Sequence, residues 1–222
     1  MTPPTDHAKD VRALLLDLDG TLADSLGVMK DVYVRFLKSC GRKSSDAEFE
    51  RLNGPPLDEV VRILKETHGL EAPLADLRAR YHGMADAVYL STRPTPDARA
   101  LLESAKKRGW TTGVVTSNTE ARTRAWLARA GLDGLIDVVI GGDSAAKGKP
   151  APDPYKLALK RTKCAADMSL AVEDSTQGAA AAIAAGIPTL ALARDAKATD
   201  WPDGVTVVAD LAAARRHLES LL

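Results

Sequence analysis

Several features that would place a chain in a class at once are scarce or missing here. Its 222 residues include two cysteines, Cys40 and Cys164, with no metal-ligand spacing between them. That excludes a disulfide framework, and both thiols read as ordinary packing residues. Histidine is thinly spread over His7, His68, His82 and His217, so none is assigned to chemistry. His68 precedes Gly69 at an expected helix end, where an imidazole favours the last carbonyls. Neither charge dominates, because 30 basic residues balance 30 acidic ones. Nothing electrostatic therefore points to nucleic acid or to an anionic membrane. No run approaches the about 18 apolar residues of a membrane span. The opening Met-Thr-Pro-Pro-Thr-Asp-His lacks an apolar h-region, so a cytoplasmic location is expected. At 222 residues the chain can bury a sizeable core and carry one small accessory domain.

What is present starts with Asp17-Leu18-Asp19-Gly20-Thr21, directly after the apolar run Ala13-Leu14-Leu15-Leu16. The run reads as a buried strand ending at the Gly. Residues i and i+2 of a strand share a side, so Asp17 and Asp19 emerge together where the strand stops. Two adjacent carboxylates repel, and a divalent cation or a shared proton relieves the repulsion. Ligands of open α/β sheets bind outside the carboxyl ends of the strands, which is where these acids fall. On the pentapeptide alone, a simple Asp-Gly turn explains the residues equally well.

Other strand ends and loops carry chemistry too. Thr112-Gly113-Val114-Val115 runs into Thr116-Ser117-Asn118, followed by a helical pattern at Ala121, Ala125, Leu127 and Leu132. Lys149-Pro150-Ala151-Pro152-Asp153-Pro154 precedes another helix, with Asp153 expected as its N-cap and Pro154 at its first position. The strand Leu170-Ala171-Val172 ends in Glu173-Asp174-Ser175. Taken singly, Thr116 reads as a helix cap and Lys149 as a solvated surface charge. Asn118 fits a phosphate contact or a helix cap equally, and Ser175 is a helix N-cap outside the site.

Between Ser25 and about Tyr89 the pattern is helical only, with apolar residues at Leu26, Met29, Val32, Tyr33, Phe36, Leu37 and Cys40 and again at Leu57, Val60, Val61 and Leu64. From residue 97 onward helices and strands alternate: helix 97–108, strand 113–115, helix 119–130, strand 138–140, helix 154–162, strand 170–172, helix 176–185, strand 188–192, strand 205–208 and a last helix. Such alternation predicts an α/β fold with a parallel sheet covered on both faces.

In order, Asp17-Leu-Asp-Gly-Thr21, Thr116-Ser-Asn, Lys149-Pro-Ala-Pro-Asp and Glu173-Asp-Ser resemble the four motifs of the haloacid dehalogenase (HAD) superfamily, over about residues 11–193. The helical insert resembles the cap of the members grouped with phosphoglycolate phosphatases and β-phosphoglucomutases. The resemblance implies a Rossmann-like, doubly wound core (1–23 and 94–222) and an all-helical cap (24–93) inserted after the first strand. It implies a Mg²⁺-dependent phosphomonoester hydrolase acting on a small phosphorylated metabolite through an aspartyl phosphate. Asp17 is then the nucleophile and Asp19 the general acid and base. Thr116 and Lys149 bind and neutralise the transferring group. The backbone N–H groups of Leu18, Asp19 and Ser117 complete the cradle, with Asn118 near the phosphate. Mg²⁺ is held by Asp17, the Asp19 carbonyl, Asp174 and, directly or through water, Glu173. Asn53 in the cap loop meets the leaving group, and the protein is a monomer or weak dimer.

Three alternatives remain. A β-phosphoglucomutase-like enzyme must hold a second phosphate, yet Leu52-Asn53-Gly54-Pro55-Pro56-Leu57-Asp58 contains no base. A dehalogenase typically lacks the second acid of the first motif, which is present here as Asp19. A non-catalytic binding protein of this fold is expected to have lost one of Asp17, Asp19, Lys149 or Asp174, and all four are there.

Overall fold

The computed structural model describes residues 12–52, 55–193 and 201–221. Six strands, β1 (Ala13–Leu16), β2 (Thr111–Val115), β3 (Val138–Ile140), β4 (Ser169–Glu173), β5 (Thr189–Leu192) and β6 (Val205–Val208), form one sheet in the order β3-β2-β1-β4-β5-β6. Every pairing is parallel. This is the doubly wound order, with the topological switch between β1 and β4. The expected α/β class and parallel sheet are therefore observed.

Alternation along β1 explains why the sheet needs helices on both faces. Leu14 and Leu16 pack with α5 (Ala98–Lys107), α6 (Glu120–Ala130) and α9 (Leu211–Ser220). Ala13 and Leu15 pack on the other side with α7 (Asp153–Thr162) and α8 (Thr176–Ala184). All four β1 side chains are fully buried. Each Leu contributes roughly 1.5–3 kcal/mol by leaving water.

Between β1 and α5 lie four helices, α1 (Leu26–Ser39), α2 (Asp46–Arg51), α3 (Leu57–His68) and α4 (Leu74–Tyr89). Their apolar stripes make a separate hydrophobic cluster around Tyr33, Phe36, Leu64 and Tyr81. Inside it the buried Glu48 accepts a hydrogen bond from the Tyr33 hydroxyl and lies 3.0 Å from His68 Nε2. His68 thus has a carboxylate partner as well as its place at the end of α3. The chain leaves and re-enters the sheet layer along one seam: Asp24 N–H donates to the Arg93 carbonyl at 2.9 Å, and Thr95 N–H to that of Leu22 at 2.8 Å. Among the described residues, no helix is long and apolar enough to cross a membrane.

Some expected boundaries shift for local reasons. Pro152, not Asp153, is the N-cap of α7, because its backbone is already helical and its carbonyl accepts from Lys156 N–H at 2.9 Å. Pro154 is accordingly the second helical residue rather than the first. β2 begins at Thr111, and β4 runs from Ser169 through Glu173, one residue beyond the apolar run that ends at Val172.

Candidate active site

The central position of β1 places Asp17 at the switch point, where its N–H donates to the Val172 carbonyl of β4 at 3.0 Å. Gly20 then turns the chain at φ 80°, and a β-carbon there would lie 1.8 Å from Asp174 Oδ2. Only glycine allows both that dihedral and that approach. The loops after β1 and β4 are therefore in direct contact, and Asp17, Glu173 and Asp174 bring carboxylate oxygens within 4.8 Å of one another.

Lys149 reaches the same point from the loop before α7. Its buried ammonium donates to Asp17 Oδ1 at 2.6 Å, Glu173 Oε1 at 2.5 Å and the Val115 carbonyl at 2.8 Å. An ammonium has three protons, so its donor capacity is filled. Burial opposes the charged form, but Asp17 and Glu173 outweigh it and raise the ammonium's pKa. Burial also pushes the Asp17 carboxyl well above the usual carboxylate range; Lys149 opposes that shift, and Glu173, Asp174 and Asp19 add to it. Negative charge thus exceeds positive charge here, and the donors are hard oxygens. That donor set fits a Mg²⁺-type cation better than a soft metal.

Asp19 stands apart from this cluster in its hydrogen bonding. Its Oδ1 accepts from Ser25 Oγ at 2.7 Å and the Tyr89 hydroxyl at 2.8 Å, and its Oδ2 accepts from Asn118 Nδ2 at 3.1 Å. Asn118 is itself oriented by Arg122, which donates to Asn118 Oδ1 at 2.9 Å. The helix-cap alternative for Asn118 falls to its neighbour: Thr119 caps α6 by accepting from Arg122 N–H at 3.3 Å. Thr116 Oγ1 accepts from Asn118 N–H at 3.0 Å, and Ser175 caps α8 as expected.

These groups floor a cavity of about 90 Å³, space for several water molecules. Asp17, Asp19, Thr116, Ser117, Asn118, Lys149 and Asp174 all line it, and so does Ser175, which was expected to lie outside the site. Glu173 does not. It is fully buried behind Lys149, where its Oε1 also accepts from the Tyr155 hydroxyl at 2.6 Å. The Leu18 side chain points into the sheet's hydrophobic cluster, so only its backbone is available to a ligand. Asn53 lies outside the described residues.

Sequence reading missed Ser25, Tyr89, Arg122 and Tyr155. Ser25 was within reach, as a hydroxyl closely following the first motif. The other three are joined to the site only by the tertiary fold.

The sequence profile of the haloacid dehalogenase-like hydrolases matches residues 14–192, and the chain belongs to that family. It is 33% identical over 193 residues to a phosphoglycolate phosphatase of Rhodospirillum rubrum, covering 82% of this chain and 79% of that one. It is 29% identical over 178 residues to a phosphorylated carbohydrates phosphatase of Thermotoga maritima, covering 80% and 82%. In fold it resembles the structure of CbbY from Rhodobacter sphaeroides in complex with phosphate, with TM-score 0.77, 24% identity and coverage of 91% and 95%.

Proposed function

We propose that the protein is a Mg²⁺-dependent phosphomonoester hydrolase that works through an aspartyl phosphate on Asp17. The observation carrying this reading is the division of the two first-motif acids. Asp17 is tied to Lys149 and faces two further carboxylates, while Asp19, two residues on, is held by three neutral donors. One acid is set in a charged cluster and the other in a purely hydrogen-bonded one, as nucleophile and proton carrier require.

In this mechanism Asp17 attacks phosphorus, and Asp19 gives a proton to the departing alkoxide oxygen. Asp19 then takes a proton from the water that hydrolyses the acyl phosphate, which returns both acids to their starting state. Thr116, with the N–H groups of Leu18, Asp19 and Ser117, holds the phosphoryl oxygens, and the Lys149 charge neutralises the negative charge that develops in the transition state. The residues that would hold Mg²⁺ are Asp17, the Asp19 carbonyl and Asp174; Glu173 contributes by fixing Lys149. The cation would supply charge neutralisation for the approach of one anion to another.

The cap is read as residues 24–93 on a core of 1–23 and 94–222, and Asn53 as a contact to the leaving group. Mutase chemistry is the weaker reading, because the described wall of the insert offers the cavity no base for a second phosphate. Interconversion of glucose 1-phosphate and glucose 6-phosphate is therefore not expected, even with a bisphosphate activator.

The test uses an aryl phosphate. Wild-type protein turns it over with Mg²⁺, loses activity on chelation and regains it when Mg²⁺ returns. Asp17→Asn folds normally and retains less than about one per cent of the rate. Full activity of a chelated sample, or a robustly active Asp17→Asn, would remove the proposal.

A further inference from the structure

The mechanism uses none of the histidines, yet His82 stands where the helical insert meets the helices of the sheet. It lies on α4, and its two ring nitrogens face different elements. Nε2 is 2.8 Å from Asp58 Oδ1 on α3, and Nδ1 is 3.3 Å from Arg122 Nη2 on α6. A guanidinium has protons to give and no lone pair to offer. Nδ1 can therefore only accept here, so the ring is neutral, carries its proton on Nε2 and donates it to Asp58. In that form it ties two helices of the insert to α6.

The ring's charge state matters because the charges around it already balance. They are Asp58 on α3, Arg78 and Asp86 on α4, one turn to either side of His82, and Arg122 on α6. Arg78 Nε lies 3.6 Å from Asp58 Oδ1, and Arg122 is paired with Asp86. Glu59, the next acid along α3, pairs with Arg62 at 2.6 Å. A proton on Nδ1 adds a positive charge without a counter-charge and sets a donor against a donor. It also puts the ring in competition with Arg122 for Asp86. The His82 side chain is 31% exposed, so solvent protons reach it.

Arg122 is the link to the chemistry. It donates to Asn118 Oδ1 at 2.9 Å and lies 6.0 Å over the Tyr89 ring, and Asn118 and Tyr89 both donate to Asp19. We infer that His82 is a positioning residue for Asp19, acting through Arg122 and only while its imidazole is neutral. As pH falls the ring takes up a proton and releases Arg122; as pH rises the contact returns. The clasp follows from the geometry, and its effect on turnover rests on the phosphatase reading above.

His82→Gln tests this, because a carboxamide can accept from Arg122 and donate to Asp58 but does not titrate. With the aryl phosphate and Mg²⁺, its kcat should lie within about twofold of wild type at about pH 8. At about pH 5.5 it should exceed wild type at least about threefold. Every other titrating group is common to both proteins and cancels in the ratio. In an Arg122→Ala background the same substitution should change kcat less than about 1.5-fold at either pH. A ratio equal at both pH values, or a pH-dependent ratio that survives in Arg122→Ala, would overturn the inference.

Nuclear magnetic resonance of the wild type reads the clasp without turnover. The Asn118 side-chain amide signals should move with the same midpoint as the His82 ring signals, and should stay still over that range in His82→Gln. Asn118 signals indifferent to the ring's titration would sink the inference even in an active enzyme. Absence of aryl phosphate turnover at every pH would instead remove the phosphatase reading, and this titration would then decide the clasp by itself.

Discussion

Gly178 lies on α8, where a β-carbon would sit 2.0 Å from Glu173 Oε2. In an ordinary exposed helix, Gly→Ala stabilises by about 1 kcal/mol. Here the added methyl displaces the carboxylate that anchors Lys149, and overpacking of this kind costs roughly 1–3 kcal/mol. The second effect is the larger, so Gly178→Ala should unfold at lower urea and turn over more slowly. An alanine variant as stable and active as wild type would mean that Glu173 has room to move. Lys149→Met leaves Asp17 and Glu173 buried without their cation, and should cost about 3–5 kcal/mol in the same denaturation experiment. Little change in midpoint would mean the two carboxylates relax by taking up protons or water. The sequence disclosed Asp17 and Asp19 because a period of two puts both at the strand's end. Glu173 was less legible. The apolar letters stop at Val172 while the strand continues, so its full burial depends on the ladder to β5, which pairs Glu173 with Ala191.

At the scale of elements, α6 is tied to α4 by one side chain. Arg122 donates to Asn118, pairs with Asp86, approaches His82 Nδ1 at 3.3 Å and stacks 6.0 Å over the Tyr89 ring. Two of the three donors to Asp19, Asn118 and Tyr89, thus rest against Arg122. Asp86 is well exposed, so loss of its pair should change stability by less than about 1 kcal/mol. Arg122→Ala is expected to lower kcat about tenfold with little change in melting temperature. Arg122→Lys should not restore the rate, since a single ammonium cannot reproduce the fork that meets Asn118 and Asp86 together. A normal kcat in Arg122→Ala would reduce the residue to a surface strut. Helix periodicity found α6, but it gives an arginine on the outer half of an amphipathic helix no reason to be more than a solvated charge. The contact that distinguishes it is 36 positions away in the chain, on α4.

For the whole molecule, strand order and insertion point act together. β1 is central, so a segment spliced directly after it stands over the switch point and faces the loops of β2 and β4. Alternating patterns made the parallel sheet and the helical insert readable in advance; the seam at Ala23 and Pro94, an antiparallel bridge, was not, because its hydrogen bonds carry no side-chain signature. Joining Ala23 to Pro94 directly should leave the sheet folded, since its two hydrophobic clusters draw almost entirely on the remaining residues. Circular dichroism should retain strand and helix signals, while aryl phosphate turnover falls by at least about tenfold because Asp19 has lost Ser25 and Tyr89. Loss of all cooperative unfolding would instead make the insert part of the folding unit.

The same geometry sets where this protein can be recombined with another. A transplant cut at the seam would carry away two donors that belong to the chemistry and import whatever hydroxyls the newcomer has at its ends. Cuts made after Ser25 and before Tyr89 would keep both donors with the sheet, and exchange only the wall that the substrate touches. The chain therefore contains two boundaries on each side, one drawn by folding and one by reactivity, and they differ by only a few residues.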